Sequence, residues 1–270
     1  MRAPLWLLGH SIKRVRNMVV ATGLLLAAFQ VVLILVARSI QTSGGFEQLS
    51  AVLPPFAREL MGPAMAGIMS FAGIVCLGYF DVAVIGALVG MAIALATIPT
   101  AEMEIGFIDL ILARPLARHW VITRTVVVCI LAAAAMLTLM MAGTGMGLHF
   151  LAPPKAEWPP FHQVLALAGN LGMLMLAWSG VGMAVGTASR RRGVAGAIVG
   201  FLALAAFLLD YVGRLWEPAE KIAWLSPFRY YNPFELVMGN PLPSKNIIVL
   251  GAIWVVGSIA AYIVFSRRDI

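Results

Sequence analysis

The chain has 270 residues, of which 61% are hydrophobic and 11% are charged, and its formal net charge is +7. Soluble domains carry about 25% charged residues, and the recurring apolar runs are long enough to cross a bilayer. The composition therefore excludes an ordinary soluble protein and predicts an all-α integral membrane protein. The basic balance indicates Lys and Arg on the cytoplasmic side and contact with anionic membrane lipids, not with nucleic acid.

The first 17 residues are predicted to form an N-terminal interfacial helix, 1–17. Leu5, Leu8 and Ile12 recur at helical spacing, and the basic side chains lie elsewhere on the helical wheel. The apolar run at about 18–37 follows. It is longer than the apolar core of a signal peptide, so we expect an uncleaved first span.

Residues 63–100 are apolar over nearly two spans and are interrupted by a polar break at Asp81. The positive-inside rule places all basic clusters in the cytoplasm only if this region crosses once. We assign the crossing to about 82–100, with Asp81 as its N-cap, and assign 64–80 to an external interfacial or re-entrant helix. The basic clusters are Arg2, Lys13, Arg14 and Arg16; Arg114, Arg118 and Arg124; Arg190, Arg191 and Arg192; and Arg267 and Arg268.

Four further spans complete a bundle of six and place both termini in the cytoplasm. They are predicted at about 121–143, 163–187, 194–213 and 246–265. Glycines four residues apart predict close packing between helices. These pairs are Gly86/Gly90, Gly182/Gly186 and Gly196/Gly200. Residues 1–270 are expected to form a single transmembrane domain.

The segment 101–118 joins the second span to the third and is unusually polar for a connector. Its polar and turn-forming residues are Glu102, Glu104, Gly106, Asp109, Arg114, Pro115 and Arg118. From composition alone, an ordinary positive-inside connector and a partner-binding segment are about equally favoured. In the second case, the arginines would hold a partner's carboxylates or lipid phosphate.

The sequence has none of the motifs that bind nucleotide or metal. Gly-x-x-x-x-Gly-Lys-Ser/Thr, His-Glu-x-x-His and Cys-x-x-Cys are all missing, so any ATP dependence must come from another chain. Cys76 and Cys129 lie in apolar runs and are predicted to be buried packing residues. Asp81 and Asp210 are the acidic residues nearest the membrane interior, and both are predicted near helix ends.

Four stretches resemble one known family and follow its order along the chain. Glu102-x-Glu104-x-Gly106, followed by Leu110-x-Leu112-x-Arg114-Pro115-x-x-Arg118, resembles the signature loop of permease subunits of ATP-binding-cassette (ABC) transporters of the type-two exporter class. Phe107 replaces the usual Thr of that loop, and Asp109 replaces its usual Glu. The other three are Gly78-Tyr-Phe-Asp81 at the start of the second helix, Ser189-Arg-Arg-Arg-Gly193 at the second cytoplasmic turn, and Leu225-Ser-Pro-Phe-Arg-Tyr-Tyr-Asn-Pro233 in the external segment.

The resemblance implies that residues 101–118 form a coupling helix that docks on a separate ATPase subunit. It implies coupling roles for Glu102, Glu104, Gly106, Asp109, Arg114, Pro115 and Arg118, and a second cytoplasmic contact at Arg190, Arg191 and Arg192. The working unit would contain two copies of this permease domain and two ATPases, in the inner membrane of a bacterium. ATP and Mg²⁺ would bind the partner subunit, so this chain would hold no cofactor, no metal and no catalytic residue.

Two other classes of function stay open at this point. A stand-alone secondary transporter or channel would be expected to keep more charge at the middle of the membrane than this sequence has. A lipid-modifying enzyme would need His, Asp and Ser side chains clustered at one interface. The four histidines, His10, His119, His149 and His162, do not share one side in the predicted topology.

Overall fold

The computed structural model describes residues 3–43, 70–107, 117–154 and 156–267, and no β-strand occurs within these ranges. Six helical stretches among them are long and apolar enough to cross a membrane, which confirms the predicted all-α architecture and the predicted number of candidate spans. The helices are α1 (Ala3–Thr42), α2 (Phe71–Phe80), α3 (Val82–Ala96), α4 (Ile98–Glu104), α5 (His119–Leu151), α6 (Phe161–Ala188), α7 (Arg192–Gly213), α8 (Glu217–Ala223), α9 (Pro233–Val237) and α10 (Ser244–Arg267), with a short 3-10 helix at Pro227–Tyr230.

Three predicted spans match α6, α7 and α10 to within about two residues at each end. The span predicted at 121–143 is α5, which continues to Leu151. The prediction ended too early there because the sequence becomes rich in glycine after residue 142. Glycine lowers helix propensity without forbidding a helix.

The N-terminal helix corrects a predicted boundary. α1 is 40 residues long, or roughly 60 Å at 1.5 Å per residue, about twice the thickness of a hydrocarbon core. The expected division between an interfacial helix at 1–17 and a span at 18–37 is therefore not seen, because one continuous helix covers both. The sequence around Arg16 and Met18 contains no Pro or Gly that would end a helix there.

The second membrane-spanning stretch runs from Phe71 to Ala96 and is interrupted at Asp81. Asp81 has an extended backbone (ψ 135°), and its carboxylate accepts a hydrogen bond of 2.8 Å from the N–H of Ala83, so it is the N-cap of α3 as predicted. The candidate membrane-spanning stretch Phe71–Ala96 contains most of the crossing predicted at 82–100 and adds α2 to it.

The external helix expected at 64–80 is not confirmed. Residues 64–69 lie outside the described part of the chain. Residues 71–80 form α2, whose buried Phe71 and Val75 belong to one hydrophobic cluster with Ile34 of α1 and Leu148 of α5. α2 therefore belongs to the bundle. The apolar sequence alone cannot distinguish a helix packed in the bundle from one lying outside it.

Helices come into close contact at positions where a glycine leaves no side chain between their backbones. A Cβ built on Gly143 would lie 2.6 Å from the Cα of Ala27, so α5 and α1 approach backbone to backbone. A Cβ on Gly180 would lie 2.7 Å from the carbonyl oxygen of Trp254, which shows the same contact between α6 and α10. Small residues at such positions allow dense packing in a membrane, where the hydrophobic effect does not drive helices together.

Only one of the three predicted glycine pairs packs in this way. Gly182 and Gly186 meet Ala96 and Thr100, which confirms that pair. The other two pairs leave open space, because a Cβ at any of those four glycines would meet no described atom within 4 Å. Gly86, Gly90 and Gly200 instead line a groove between α3 and α7.

Both ends of the described chain lie at the same end of the bundle. Near the start of the chain, Arg14 of α1 contacts Glu102 just after α3. Near its end, Tyr262 of α10 shares a hydrogen bond of 2.8 Å with Thr123 of α5. We call this the basic end and define it by Arg14, Glu102, Thr123, Arg192 and Tyr262. The opposite end, which carries α8, the 3-10 helix and α9, is called the far end.

At the far end a buried tyrosine satisfies the backbone of the broken span. The hydroxyl of Tyr231 donates a hydrogen bond of 2.6 Å to the carbonyl oxygen of Tyr79, which lies in the last turn of α2. Carbonyls in a last helical turn have no partner within their own helix. Burial raises the pKa of Tyr231 above its ordinary value, so the hydroxyl stays protonated and keeps donating.

Candidate functional site

α4 is a short helix held at the basic end, between α3 and the polar segment predicted to couple to a partner. It begins after Thr97 with Pro99 in its first turn, a position where proline is favoured because its missing N–H needs no partner there. It ends at Glu104, and Gly106 follows with a positive φ of 69°. Glycine is the residue that most readily adopts this conformation, so Gly106 ends the helix.

Glu102 is the central acid of the site and is only 2% exposed. One carboxylate oxygen, Oε1, accepts a hydrogen bond of 3.4 Å from Nη1 of Arg14 on α1. The other, Oε2, accepts a short hydrogen bond from Nη2 of Arg124 on α5, whose side chain is also buried. A buried charge must be paired to be tolerated, so Glu102 fixes α4 to both of these helices.

Glu104 connects the same short helix to α7. Its Oε2 accepts a hydrogen bond of 2.9 Å from the backbone N–H of Arg192, the first residue of α7. The first N–H groups of a helix lack partners in the helix and carry partial positive charge, so a carboxylate stabilises them. The Arg192 side chain reaches back to α3, donating from Nη2 to the carbonyl oxygen of Ala94 at 3.1 Å.

The predicted coupling segment and the predicted second contact therefore meet. Glu104 comes from the first and Arg192 from the second, and both are exposed at their outer surfaces. Arg190 and Arg191 lie beside Arg192 and are also exposed. Next to Glu104, Ile105 presents a large apolar side chain that is 69% exposed.

The remaining predicted residues fall into two groups. Arg118 is exposed, immediately before α5 begins at His119. Asp109, Arg114 and Pro115 lie outside the described residues, so their predicted roles stay predictions.

Two residues of the site were not predicted as site residues, namely Arg14 and Arg124. In the sequence they counted only as members of the basic clusters. Arg124 carried a usable signal, since it lies inside the span predicted at 121–143, and an arginine within an apolar helix needs a partner. The most economical partner was an acid in the adjacent polar segment, which is what Glu102 supplies.

Within the described ranges, no three His, Cys, Asp or Glu side chains come together as a set that could hold a metal ion. The site is a set of charge-assisted contacts that the two acids of α4 make with neighbouring helices. We call this set of contacts the joint, and the exposed apolar side chain of Ile105 lies beside it.

Comparison of the chain with protein-family models finds no match. Comparison with curated protein sequences likewise finds no matching relative.

Proposed function

We propose that the chain is the transmembrane subunit of an ABC exporter, driven by a separate ATPase subunit that docks at the basic end. The proposal rests on the resemblance of residues 101–118 to the family's signature loop. The observation that carries it is the joint made by α4. Two acids of one short helix bind three other helices, Glu102 holding α1 and α5 and Glu104 holding α7.

This arrangement suits the transmission of movement. A force applied to the chain around residue 105 acts on α4, and the buried ion pair and the capped helix start pass it to α1, α5 and α7. A connector whose only task is to reverse the chain direction needs no such links. Glu102 thus acts inside the subunit in this proposal, and the docking surface is formed by exposed residues.

The docking surface we propose consists of Ile105, Glu104 and the exposed arginines Arg190 and Arg191. An apolar side chain surrounded by charges is the usual composition of a docking contact, in which the apolar residue is buried and the polar rim fixes orientation. The predicted residues Asp109, Arg114, Pro115 and Arg118 would extend this surface along the segment 101–118.

The assembly we propose contains two copies of the chain and two ATPases in a bacterial inner membrane. The basic end would face the cytoplasm, because Lys and Arg are retained on that side. ATP and Mg²⁺ would bind only the ATPase, since this sequence has no phosphate-binding loop.

Replacing Ile105 with Asp tests this docking surface. The change places a charge at the centre of the proposed contact and leaves the buried joint intact, so the chain should fold normally and lose its partner. The measurement is affinity purification of the chain from membranes of its own host in mild detergent, with mass spectrometric quantification of any ABC ATPase. We expect at least a tenfold loss of the ATPase, in line with the removal of a central interface residue.

The matched control is Ile222→Asp, because Ile222 is also an exposed isoleucine, at 50%, but lies in α8 at the far end. This variant should retain the ATPase in full. Equal recovery of the ATPase with both variants would contradict the docking surface, and failure of the wild-type chain to bring down any ABC ATPase would contradict the proposed function itself.

A further inference from the structure

We propose that the groove between α3 and α7 binds one zwitterionic phospholipid, with the ammonium group at Asp210, the phosphate at Arg214 and one acyl chain along the glycines. This site goes beyond the proposed transport role and does not depend on it, because binding is a property of this chain alone.

The groove consists of two adjoining cavities of about 340 and 300 Å³. They share the walls Val82, Ile85, Phe207 and Phe228, so they lie side by side along the same two helices. The larger cavity is apolar, and among the described residues the charged ones that line either cavity are Asp210 and Arg214, both in the smaller cavity. A bound molecule that fills both must therefore be amphipathic.

The apolar part has the dimensions of one membrane leaflet. Its α3 wall extends from Val82 to Ile93, or roughly 17 Å along a helix, and one leaflet occupies about half of a 30 Å hydrocarbon core. Gly90 and Gly200 leave the groove open, since a Cβ on either would meet no described atom within 4 Å. An acyl chain fits such a slot.

The polar part lies at headgroup depth. Asp210 is 18 residues after the first residue of α7, or roughly 27 Å along the helix, which places it near the opposite edge of the hydrocarbon core. Trp216 and Trp224 follow it and are about 60% exposed (62% and 61%). Exposed tryptophans mark the level of the lipid headgroups.

Asp210 has an unused acceptor. Its Oδ2 binds Arg214, which donates from Nε at 3.1 Å and from Nη2 at 2.9 Å. Asp210 is only 7% exposed. Its Oδ1 is buried and has no hydrogen-bond partner in the described part of the chain. A buried carboxylate oxygen without a partner is costly, and an ammonium group is the donor it binds most strongly.

The surroundings of this carboxylate also favour an ammonium group. The rings of Phe80, Phe207, Phe228 and Phe234 line the same cavity, and aromatic faces attract ammonium groups. Arg214 argues against a simple cation, because its guanidinium already balances the charge of Asp210. A zwitterion keeps the site neutral and uses the side of Arg214 that faces away from Asp210, since guanidinium binds phosphate well.

Native mass spectrometry of the purified full-length chain tests the site. The chain is mixed with equal amounts of phosphatidylethanolamine and phosphatidylglycerol that have identical acyl chains. We expect about tenfold preferential retention of phosphatidylethanolamine, because phosphatidylglycerol has the phosphate but lacks the ammonium group. Asp210→Asn should remove this preference, and Asp81→Asn, which removes a charge on the neighbouring span and keeps an N-cap residue, should preserve it.

A second pair of lipids tests the phosphate contact. A dioleoyl lipid that carries a primary ammonium group and no phosphate keeps the donor for Asp210, so the wild-type chain should retain it less well than phosphatidylethanolamine, and Arg214→Gln should remove that difference. Gly90→Leu should fill the groove and lower phosphatidylethanolamine binding without unfolding the chain, whereas Gly145→Leu, at an open position on α5, should not.

Equal retention of phosphatidylethanolamine and phosphatidylglycerol by the wild-type chain would overturn the proposal, as would a preference that survives Asp210→Asn. An unchanged lipid ratio in Arg214→Gln would exclude the phosphate contact. Full binding by Gly90→Leu would exclude the acyl-chain position, and this variant keeps the test decisive if Asp210→Asn fails to fold.

Discussion

Glu102 is the residue on which the basic end depends, because it is a buried acid held by two arginines from different helices. Pairing a buried charge roughly offsets its desolvation, so the pair contributes little net stability as a whole. Breaking the pair is different, since removal of one member leaves the other charge buried and uncompensated. The same residue was predicted as a partner contact, and its burial assigns it an internal role.

Replacing Glu102 with Gln should therefore destabilise the chain strongly. The side chain keeps its size, and Arg124, which is 4% exposed, is left without a counter-charge. We expect a loss of about 3–5 kcal/mol in the free energy of unfolding, measured by thermal or denaturant unfolding of the purified chain in detergent.

Glu104→Gln is the matched control for this prediction. It makes the same chemical change two residues away, but Glu104 is exposed, and the one partner of its carboxylate among the described residues is a backbone N–H. The loss should therefore be about 1 kcal/mol or less. Similar losses for the two variants would contradict the assignment of Glu102 as the buried member of the joint.

At the scale of elements, the broken span formed by α2 and α3 is the least regular part of the bundle. Asp81 ends one helix and caps the next, and this interruption leaves carbonyl groups of α2 without intrahelical partners. Tyr231, from the segment between α7 and α10, reaches across to one of them. The far-end segment is thus attached to the interior of the bundle by a specific hydrogen bond.

Tyr231→Phe should lower the free energy of unfolding by about 1–3 kcal/mol, because the carbonyl of Tyr79 is then buried without a donor. Unfolding of the purified chain in detergent measures this. The neighbouring Tyr230 provides the control, since its hydroxyl donates to the carbonyl of Trp224 in an exposed position. Tyr230→Phe should lower the free energy of unfolding by less than about 0.5 kcal/mol. A loss as large as that of Tyr231→Phe would show that the buried hydrogen bond at the helix break stabilises the chain no more than the exposed one does.

Most of the elements could be predicted from the sequence because an apolar run of about 20 residues has few alternatives in a membrane. Hydropathy alone located α6, α7 and α10. Hydropathy could not place α2, which directly precedes another apolar helix, because a helix packed in the bundle and an interfacial helix have similar composition. Packing against Ile34 and Leu148 decides between them, and that information is not local in the sequence.

The site was predictable only in part, for a related reason. The acids of α4 stood out as charges beside apolar runs, and Gly106 stood out as a turn residue. Which arginine meets which acid depends on helices 88 and 22 residues away along the chain. The glycine pairs show the same limit, because Gly182/Gly186 and Gly86/Gly90 have identical spacing but only the first pair lies between packed helices.

At the scale of the whole molecule, six spans bring the two ends of the described chain to one end of the bundle, where the joint lies. The groove that we propose for lipid reaches the far end, so the two sites are separated by most of a membrane thickness. α3 and α7 contribute to both, since Arg192 binds Ala94 at one end, and Asp210 and Val82 line the same cavity at the other. A force applied to α4 would therefore act on both walls of the groove.

The central claim, that this chain is moved by a separate ATPase, is tested most directly by measuring ATP hydrolysis and its dependence on the chain. The chain alone, the co-purifying ABC ATPase alone and the two together are assayed in lipid nanodiscs at equal concentrations. We expect no hydrolysis by the chain alone and a several-fold higher rate for the complex than for the ATPase alone, lost in Ile105→Asp and kept in Ile222→Asp. An ATPase rate that the chain leaves unchanged would contradict the account.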